Sequence, residues 1–326
     1  MKAITFDDFG DADVLKIAEF PEPLLRPHDL LVRTRAAGVN RADLNQRRGA
    51  YGRSDFGDSS LMGLEIAGDV IAVGAETCGY AVGDRIMGIV GGGAYAEVSR
   101  IDHRMAMPIP AGLDYVHGAA ITEVFVTAHE ALIHLGKLKK GDTVLVHAGV
   151  GGVGSAAVQL ARATGATVYA TAKTAVSDQV RKFGADIVID YEKDDFADVI
   201  SKATQDGGVD VIVDFIGAPY FERNVRTLAH GGRLIQVGIM GGIDQAKMPL
   251  DRLLFRHLQI MGTVMKSRTP EVKQAMSRRF RERWLDHFVA DGLTPVIDSV
   301  FALSAAAAAH KRMEGGGHVG KIVLAM

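Results

Sequence analysis

Residues 147–154 read "HAGVGGVG", with "GDTVLV" before them and "SAAVQLARATGA" after. Four glycines fall in eight positions, between an apolar run of strand length and an amphipathic run of helix length. Glycine is entropically costly, so such a cluster marks a place where the backbone must turn tightly or be approached closely. Gly149, Gly151 and Gly154 satisfy G-x-G-x-x-G in the context that gives this pattern meaning: strand, turn, helix and then the next strand, "TVYATA". The chemistry is that of a pyrophosphate held against a bare backbone and the free N–H groups that open a helix. Gly149, Val150, Gly151, Gly152, Val153 and Gly154 are therefore assigned to a dinucleotide.

The pattern continues on the C-terminal side. "TVLVHA", "TVYATA", "DIVIDY", "VDVIVDFIG", "GRLIQVG" and "LQIMGTV" alternate with segments that suit helices. This predicts an α/β fold with a doubly wound parallel sheet of the Rossmann type over residues 121–264. Residues 1–120 differ. They carry short β-rich runs bounded by Gly, Asn and Asp, with "NRADLNQRRG" as a short helical segment. The tail from 265 predicts one long helix, "PEVKQAMSRRFRERWLDHFVADG", a strand, an alanine-rich helix and a last strand "GKIVLAM".

The second strand decides the cofactor. An NAD site places an acid at the end of that strand, on the ribose 2′-OH. Lys173 stands there instead, in "VYATAKTAV", which favours a 2′-phosphate and hence NADPH.

Bulk properties narrow the function. The 326 residues carry a net charge of −2, so no polyanionic partner is attracted in bulk. The segment "KSRTPEVKQAMSRRFRER" has seven basic residues against two acids and is read as the solvated face of a helix, not as a nucleic-acid site. With Cys78 as its one cysteine, the chain has neither a disulfide framework nor a cysteine-rich zinc lobe, and a reducing, cytoplasmic setting is expected. The acidic N-terminus does not read as a signal peptide, and Val144–Ala161 is too glycine-rich for a membrane span.

The stretches "AAGVNRADLNQRRGAY" (36–51), "GLEIAGDVIAVG" (63–74), "VGDRIMG" (82–88), "HAGVGGVGSAAVQLAR" (147–162), "GADIVIDY" (184–191) and "HKRMEGGGHVGKIVL" (310–324) resemble the zinc-free quinone oxidoreductase (zeta-crystallin-like) branch of the medium-chain dehydrogenase/reductase family. The resemblance spans nearly the whole chain. It implies a chaperonin-like (GroES-like) β-barrel catalytic domain, formed by 1–120 together with 265–326, into which the Rossmann domain is inserted. It also implies a homodimer whose sheets join edge to edge near "LQIMGTV".

The same resemblance implies roles for single residues. Asn40, Asp43 and Tyr51 would line the catalytic cleft, with Tyr51 and Asn40 as donors to a substrate oxygen. Thr127, Gly238 and Met240 would border the nicotinamide half of the cofactor, and Gly217 would also bind the cofactor. Tyr191 would flank the 2′-phosphate, and Gly320 and Lys321 would approach the cofactor from the tail. The family's zinc enzymes need a cysteine and a histidine where this chain has Asn40 and Leu64, so no metal is assigned. "HEALIH" is not read as a metal site either, since its histidines are five apart and are taken as helix-surface or domain-interface residues.

The expected activity is NADPH-dependent hydride transfer, without a metal, to a small electron acceptor such as a quinone or other conjugated carbonyl. The alternatives are an enone or enoyl-thioester reductase, or an NADPH-binding structural or RNA-binding protein.

Overall fold

The computed structural model describes residues 1–50, 59–290 and 292–326. Tyr51 lies outside the described residues. The chain forms two compact units, Met1–Val126 with Met265–Met326, and Thr127–Val264.

The first unit is largely antiparallel. β1 (Lys2–Thr5) and β2 (Lys16–Glu19) make a ribbon. The main sheet takes β3 (Asp29–Val39), β4 (Glu65–Val73), β5 (Arg85–Ile89), β6 (Val98–Asp102) and β7 (Ala106–Pro108). The helices α1 (Arg41–Arg47), α2 (Tyr115–Gly118) and α3 (Thr122–His129) accompany them. β3 alternates buried and exposed residues at first, then becomes buried on both faces over Ala36–Val39. The small residues there admit close neighbours. A Cβ on Gly38 would fall 2.2 Å from Glu65 Oε1 and 2.5 Å from the carbonyl of Ala119.

The second unit is the doubly wound parallel sheet. In chain order it comprises β8 (Thr143–Val146), α4 (Gly152–Thr164), β9 (Thr167–Ala172), α5 (Ser177–Lys182), β10 (Ile187–Asp190) and α6 (Phe196–Thr204). β11 (Val209–Asp214), α7 (Ala218–Thr227), β12 (Leu228–Gln236), α8 (Leu250–Phe255) and β13 (Gln259–Gly262) complete it. The order β10-β9-β8-β11-β12-β13 reverses between β8 and β11, which is where this architecture opens a binding crevice. Its strands are apolar runs because helices cover both faces; Leu145, Ile189, Ile212 and Leu234 are fully or almost fully buried in its core.

The tail returns to the first unit with α9 (Pro270–Trp284), α10 (His287–Ala290), β14 (Ile297–Ala302), α11 (Ala306–Glu314) and β15 (Lys321–Ala325). β15 pairs antiparallel with β3, with Ile322 opposite Val39 and Val323 opposite Gly38. That register brings Lys321 alongside Asn40 from far away in the sequence.

One expectation is corrected. The single long helix is two, because the chain turns at Leu285–Asp286 and the Trp284 and His287 rings meet at 5.1 Å across the turn. Met276, Phe280 and Trp284, spaced by four, bury one face of α9 and leave most of its basic side chains outward. Of the two readings of His129, helix surface does not hold, since the residue is buried, and the helix widens into a π-turn over Glu130–Leu135.

Candidate functional site

The glycine turn leaves β8 at the point where the strand order reverses. Each glycine answers to a different constraint. A Cβ on Gly154 would sit 2.1 Å from the carbonyl of Ala148, and one on Gly149 would sit 2.9 Å from Ala170 Cβ. These two let the turn and α4 close on the sheet. Gly151 faces outward, its nearest neighbour for a Cβ being 3.5 Å away. Val150–Val153 are partly exposed, α4 begins without a side-chain cap, and its first turn carries no acid. Uncapped N–H groups at the start of a 13-residue helix fit a pyrophosphate.

A buried polar spine holds this edge in place. His147 is fully buried, and burial pushes its pKa down, so its ring is neutral. Asn224 uses its amide N–H on Asp214 Oδ2 (3.1 Å), so its oxygen must accept from His147 Nε2 (2.7 Å). His147 Nδ1 then accepts from the Thr171 hydroxyl (3.1 Å). Asp214 also takes the backbone N–H groups of Ile216 (2.6 Å) and Gly217 (3.2 Å) and the Gln236 amide (3.1 Å). The ends of β8, β9, β11 and β12 are thereby tied together. Gly217 has φ +94°, and a Cβ there would meet the carbonyl of Gly242 at 2.7 Å. The loop carrying Gly238 and Met240 is thus drawn against Gly217, with Met240 exposed.

At the far side of the sheet, Lys173 follows β9 and Tyr191 follows β10. Both are exposed. Lys173 Nζ lies 2.6 Å from Glu192 Oε1, and this partner holds its pKa above the usual lysine value. Lys193 Nζ reaches Thr174 Oγ1 (2.6 Å) and Asp190 Oδ2 (3.2 Å). Glu192 and Lys193 were not among the residues expected from the sequence. The signal was the acid directly after Tyr191, but only strand pairing shows that it faces Lys173.

In the first unit Asn40 caps α1, and its backbone N–H donates to Asp43 Oδ2 (2.8 Å). Its side-chain amide donates to Glu65 Oε1 (3.0 Å) and, at a longer 3.3 Å, to the Gly38 carbonyl. Its oxygen accepts from Lys321 Nζ (2.6 Å). Lys321, 3% exposed, also donates to Glu65 Oε1 and to the Val39 carbonyl (3.0 Å). Glu65, fully buried, accepts on its other oxygen from the Glu123 backbone N–H (2.9 Å) and from Thr122 Oγ1 (3.2 Å). The ion pair is therefore saturated with hydrogen bonds, which is what a buried pair needs.

Asp43, 0% exposed, accepts from the Tyr95 hydroxyl at 2.9 Å, while its Oδ1 has no partner among the described residues. Burial pushes its pKa up to about 6. Burial, reinforced by the charge of Glu65, pushes Glu123 up to about 8. The Tyr95 hydroxyl also lies 3.3 Å from His310 Nε2, whose pKa burial lowers to about 3. Such a desolvated cluster can store a proton near neutral pH.

The structure thus brings Asn40, Asp43 and Lys321 together. Sequence reasoning missed Glu65, Tyr95, Glu123 and His310; the available signal was the acid in the apolar run "GLEIAGDVIAVG". Gly320 has φ +81°, and a Cβ there would fall 2.3 Å from the Val296 carbonyl, so the turn before β15 requires glycine. Thr127 is partly exposed near the C-terminal end of α3.

Zinc does not fit the positions where the resemblance would put it. Asn40 offers an amide already engaged, Leu64 is buried and apolar, and the Lys321 ammonium stands beside Asn40. Among the described residues no group of three or more His, Cys, Asp or Glu side chains is placed to hold a metal ion.

Comparison with known proteins covers both units. Residues 26–111 match the alcohol dehydrogenase GroES-like domain, and residues 152–282 match the zinc-binding dehydrogenase family. The human quinone oxidoreductase is 33% identical over 99% of this chain and 97% of its own length. A mycobacterial protein solved in complex with NADPH superposes with a TM-score of 0.88 at 29% identity, covering all of both chains. An NAD-dependent alcohol dehydrogenase superposes with a TM-score of 0.84, also at 29% identity and covering all of both chains.

Proposed function

For a chain that belongs to the medium-chain dehydrogenase/reductase family, on its quinone oxidoreductase branch, and is thus an oxidoreductase, we propose NADPH-dependent hydride transfer, without a metal, to quinones or related conjugated carbonyls. The observation that carries this reading is the Asn40–Lys321–Glu65 cluster standing where a zinc enzyme of this family needs soft ligands. With no Lewis acid to polarise it, the substrate must already be electrophilic. The human relative's name and the NADPH complex of the mycobacterial neighbour support the acceptor and the cofactor.

NADPH, when bound, supplies the hydride. The chain's own residues do the rest. Gly151 and the start of α4 would receive the pyrophosphate, Gly217, Gly238, Met240 and Thr127 the nicotinamide end, and Lys173 with Tyr191 the 2′-phosphate. Lys321 fixes the Asn40 amide so that its 3.3 Å bond to Gly38, the longer of its two, is the one a substrate oxygen exchanges. Tyr51 is the second proposed donor. Asp43 takes the supporting role of holding the first turn of α1 against Asn40.

The protein is proposed to act as a homodimer in the cytoplasm. Among the described residues β13 is a sheet edge without a further strand, and Leu250, Leu254 and Phe255 on the preceding α8 are strongly exposed, a hazard unless covered. No helix among the described residues is long and apolar enough to cross a membrane. The test is an acceptor screen with quinones, enals and enoyl thioesters, following NADPH oxidation. Turnover concentrated on quinones and other conjugated carbonyls is expected; no oxidation with any of them would leave only a binding protein.

A further inference from the structure

The corner beside Lys173 holds more charge than one lysine. β9 and β10 end in register, Ala172 opposite Asp190, so Lys173 and Tyr191 leave the sheet side by side. The acid that an NAD site carries at the end of its second strand is missing from β9. An acid nevertheless stands at the same place, delivered by the next strand. Glu192 Oε1 is 2.6 Å from Lys173 Nζ, and the two side chains are 53% and 54% exposed.

The other acid at this corner, Asp190, is committed to the frame. It accepts from the Thr174 backbone N–H (3.2 Å), the Thr174 hydroxyl, the Glu192 backbone N–H (3.0 Å) and Lys193 Nζ (3.2 Å). These bonds staple the loop after β10 to the loop after β9 and hold the Glu192 backbone in place. Lys193 joins the same staple while its side chain stays 65% exposed. Two lysines and two carboxylates meet here, and the pair with both members open to solvent is Lys173 with Glu192, since Asp190 is only 11% exposed.

We infer that Glu192 is the residue that sets discrimination between phosphorylated and unphosphorylated dinucleotide: its carboxylate neutralises Lys173 and is placed to accept a hydrogen bond from a free ribose 2′-OH. The inference rests on the reading that this corner receives the adenosine ribose. The physical chemistry is a competition for one cation. A 2′-phosphate gains Lys173 but must displace Glu192 and then stand beside its negative charge. A 2′-hydroxyl leaves the ion pair intact and donates to the carboxylate. Glu192 therefore moderates the preference for NADPH and keeps NADH binding open.

The experiment is calorimetric titration of the full-length protein with NADPH, NADH, 2′,5′-ADP and 5′-AMP, without electron acceptor, for wild type, Glu192→Gln and Lys173→Ala. Glu192→Gln keeps the shape, removes the charge and can donate to a phosphate. It is expected to tighten NADPH and 2′,5′-ADP about two- to fivefold and to weaken NADH and 5′-AMP about twofold, in line with an exposed ion pair. Raising the salt should shrink the first effect. An unchanged NADPH-to-NADH affinity ratio in Glu192→Gln, or a shift toward NADH, overturns the inference. Lys173→Ala tests the underlying reading separately, since it should weaken NADPH alone; equal weakening of both cofactors overturns that reading. Glu192→Ala, which should raise the ratio in the same direction, guards against an effect peculiar to the glutamine amide.

Discussion

Replacing Lys321 by Ala should be the most damaging single change in the buried cluster. The side chain is 3% exposed and its ammonium serves three acceptors: Glu65 Oε1, Asn40 Oδ1 and the Val39 carbonyl. Its loss strands the fully buried Glu65 carboxylate without a cation and leaves two further buried acceptors bare. Breaking a buried pair on one side costs about 3–5 kcal/mol, a large part of the 5–15 kcal/mol that usually separates folded from unfolded. Adding Glu65→Gln should recover a share of this. The uncompensated charge disappears, and with Lys321 gone the Asn40 amide is free to rotate and offer its oxygen to the glutamine. The double mutant should therefore fall short of additivity by about 2–3 kcal/mol. Urea unfolding followed by the fluorescence of Trp284, the chain's single tryptophan, buried in the same unit, reads the effect. A loss below about 1 kcal/mol, or additive single mutants, would mean that the pair behaves like a surface salt bridge and would refute this reasoning.

Asp43→Asn should flatten the pH dependence of stability. The folded-state pKa of Asp43 is raised from 3.8 to about 6, so its contribution is full below the unfolded value and lost as pH rises through about 6; the wild type should lose up to about 3 kcal/mol from this residue between pH 4 and 7 that the variant does not. Glu123, raised from 4.5 to about 8, carries the same sign to higher pH, and Glu123→Gln should remove the alkaline end of that loss in denaturant titrations at each pH. Gly154→Ala places a Cβ 2.1 Å from the Ala148 carbonyl, and NADPH affinity measured by titration should fall more than about tenfold as the turn is pushed off α4. Leu254→Glu, at a position 66% exposed on α8, should convert the proposed dimer to monomer in light scattering, and an unchanged mass would place the interface elsewhere.

The Rossmann unit was the more legible half of the sequence. Its parallel strands are covered on both faces, so each reads as an unbroken apolar run, and Gly149, Gly151 and Gly154 punctuate the first strand-to-helix turn. The cluster around Asn40 was only half legible. Asn40 and Asp43 are neighbours in sequence, but Lys321 joins them through the β15–β3 register, Glu65 through the β3–β4 pairing, and Tyr95 from the bend before β6. Pairing over such separations leaves no local trace. The same holds for Glu192, which meets Lys173 only because β9 and β10 end in register. The break after Trp284 was hidden for another reason: no glycine or proline marks it.

Hydride transfer by a zinc-independent NADPH site can be read in a single turnover. Chelator-treated protein, shown by elemental analysis to be free of metal, is mixed with NADPH deuterated at the transferred position and with 1,4-benzoquinone, and the nicotinamide absorbance is followed against unlabelled cofactor. Oxidation is expected at the rate of untreated protein, slowed by deuterium, and slower with NADH at equal subsaturating concentration. Oxidation that vanishes on chelation and returns with added zinc, or no oxidation in either sample, would contradict it.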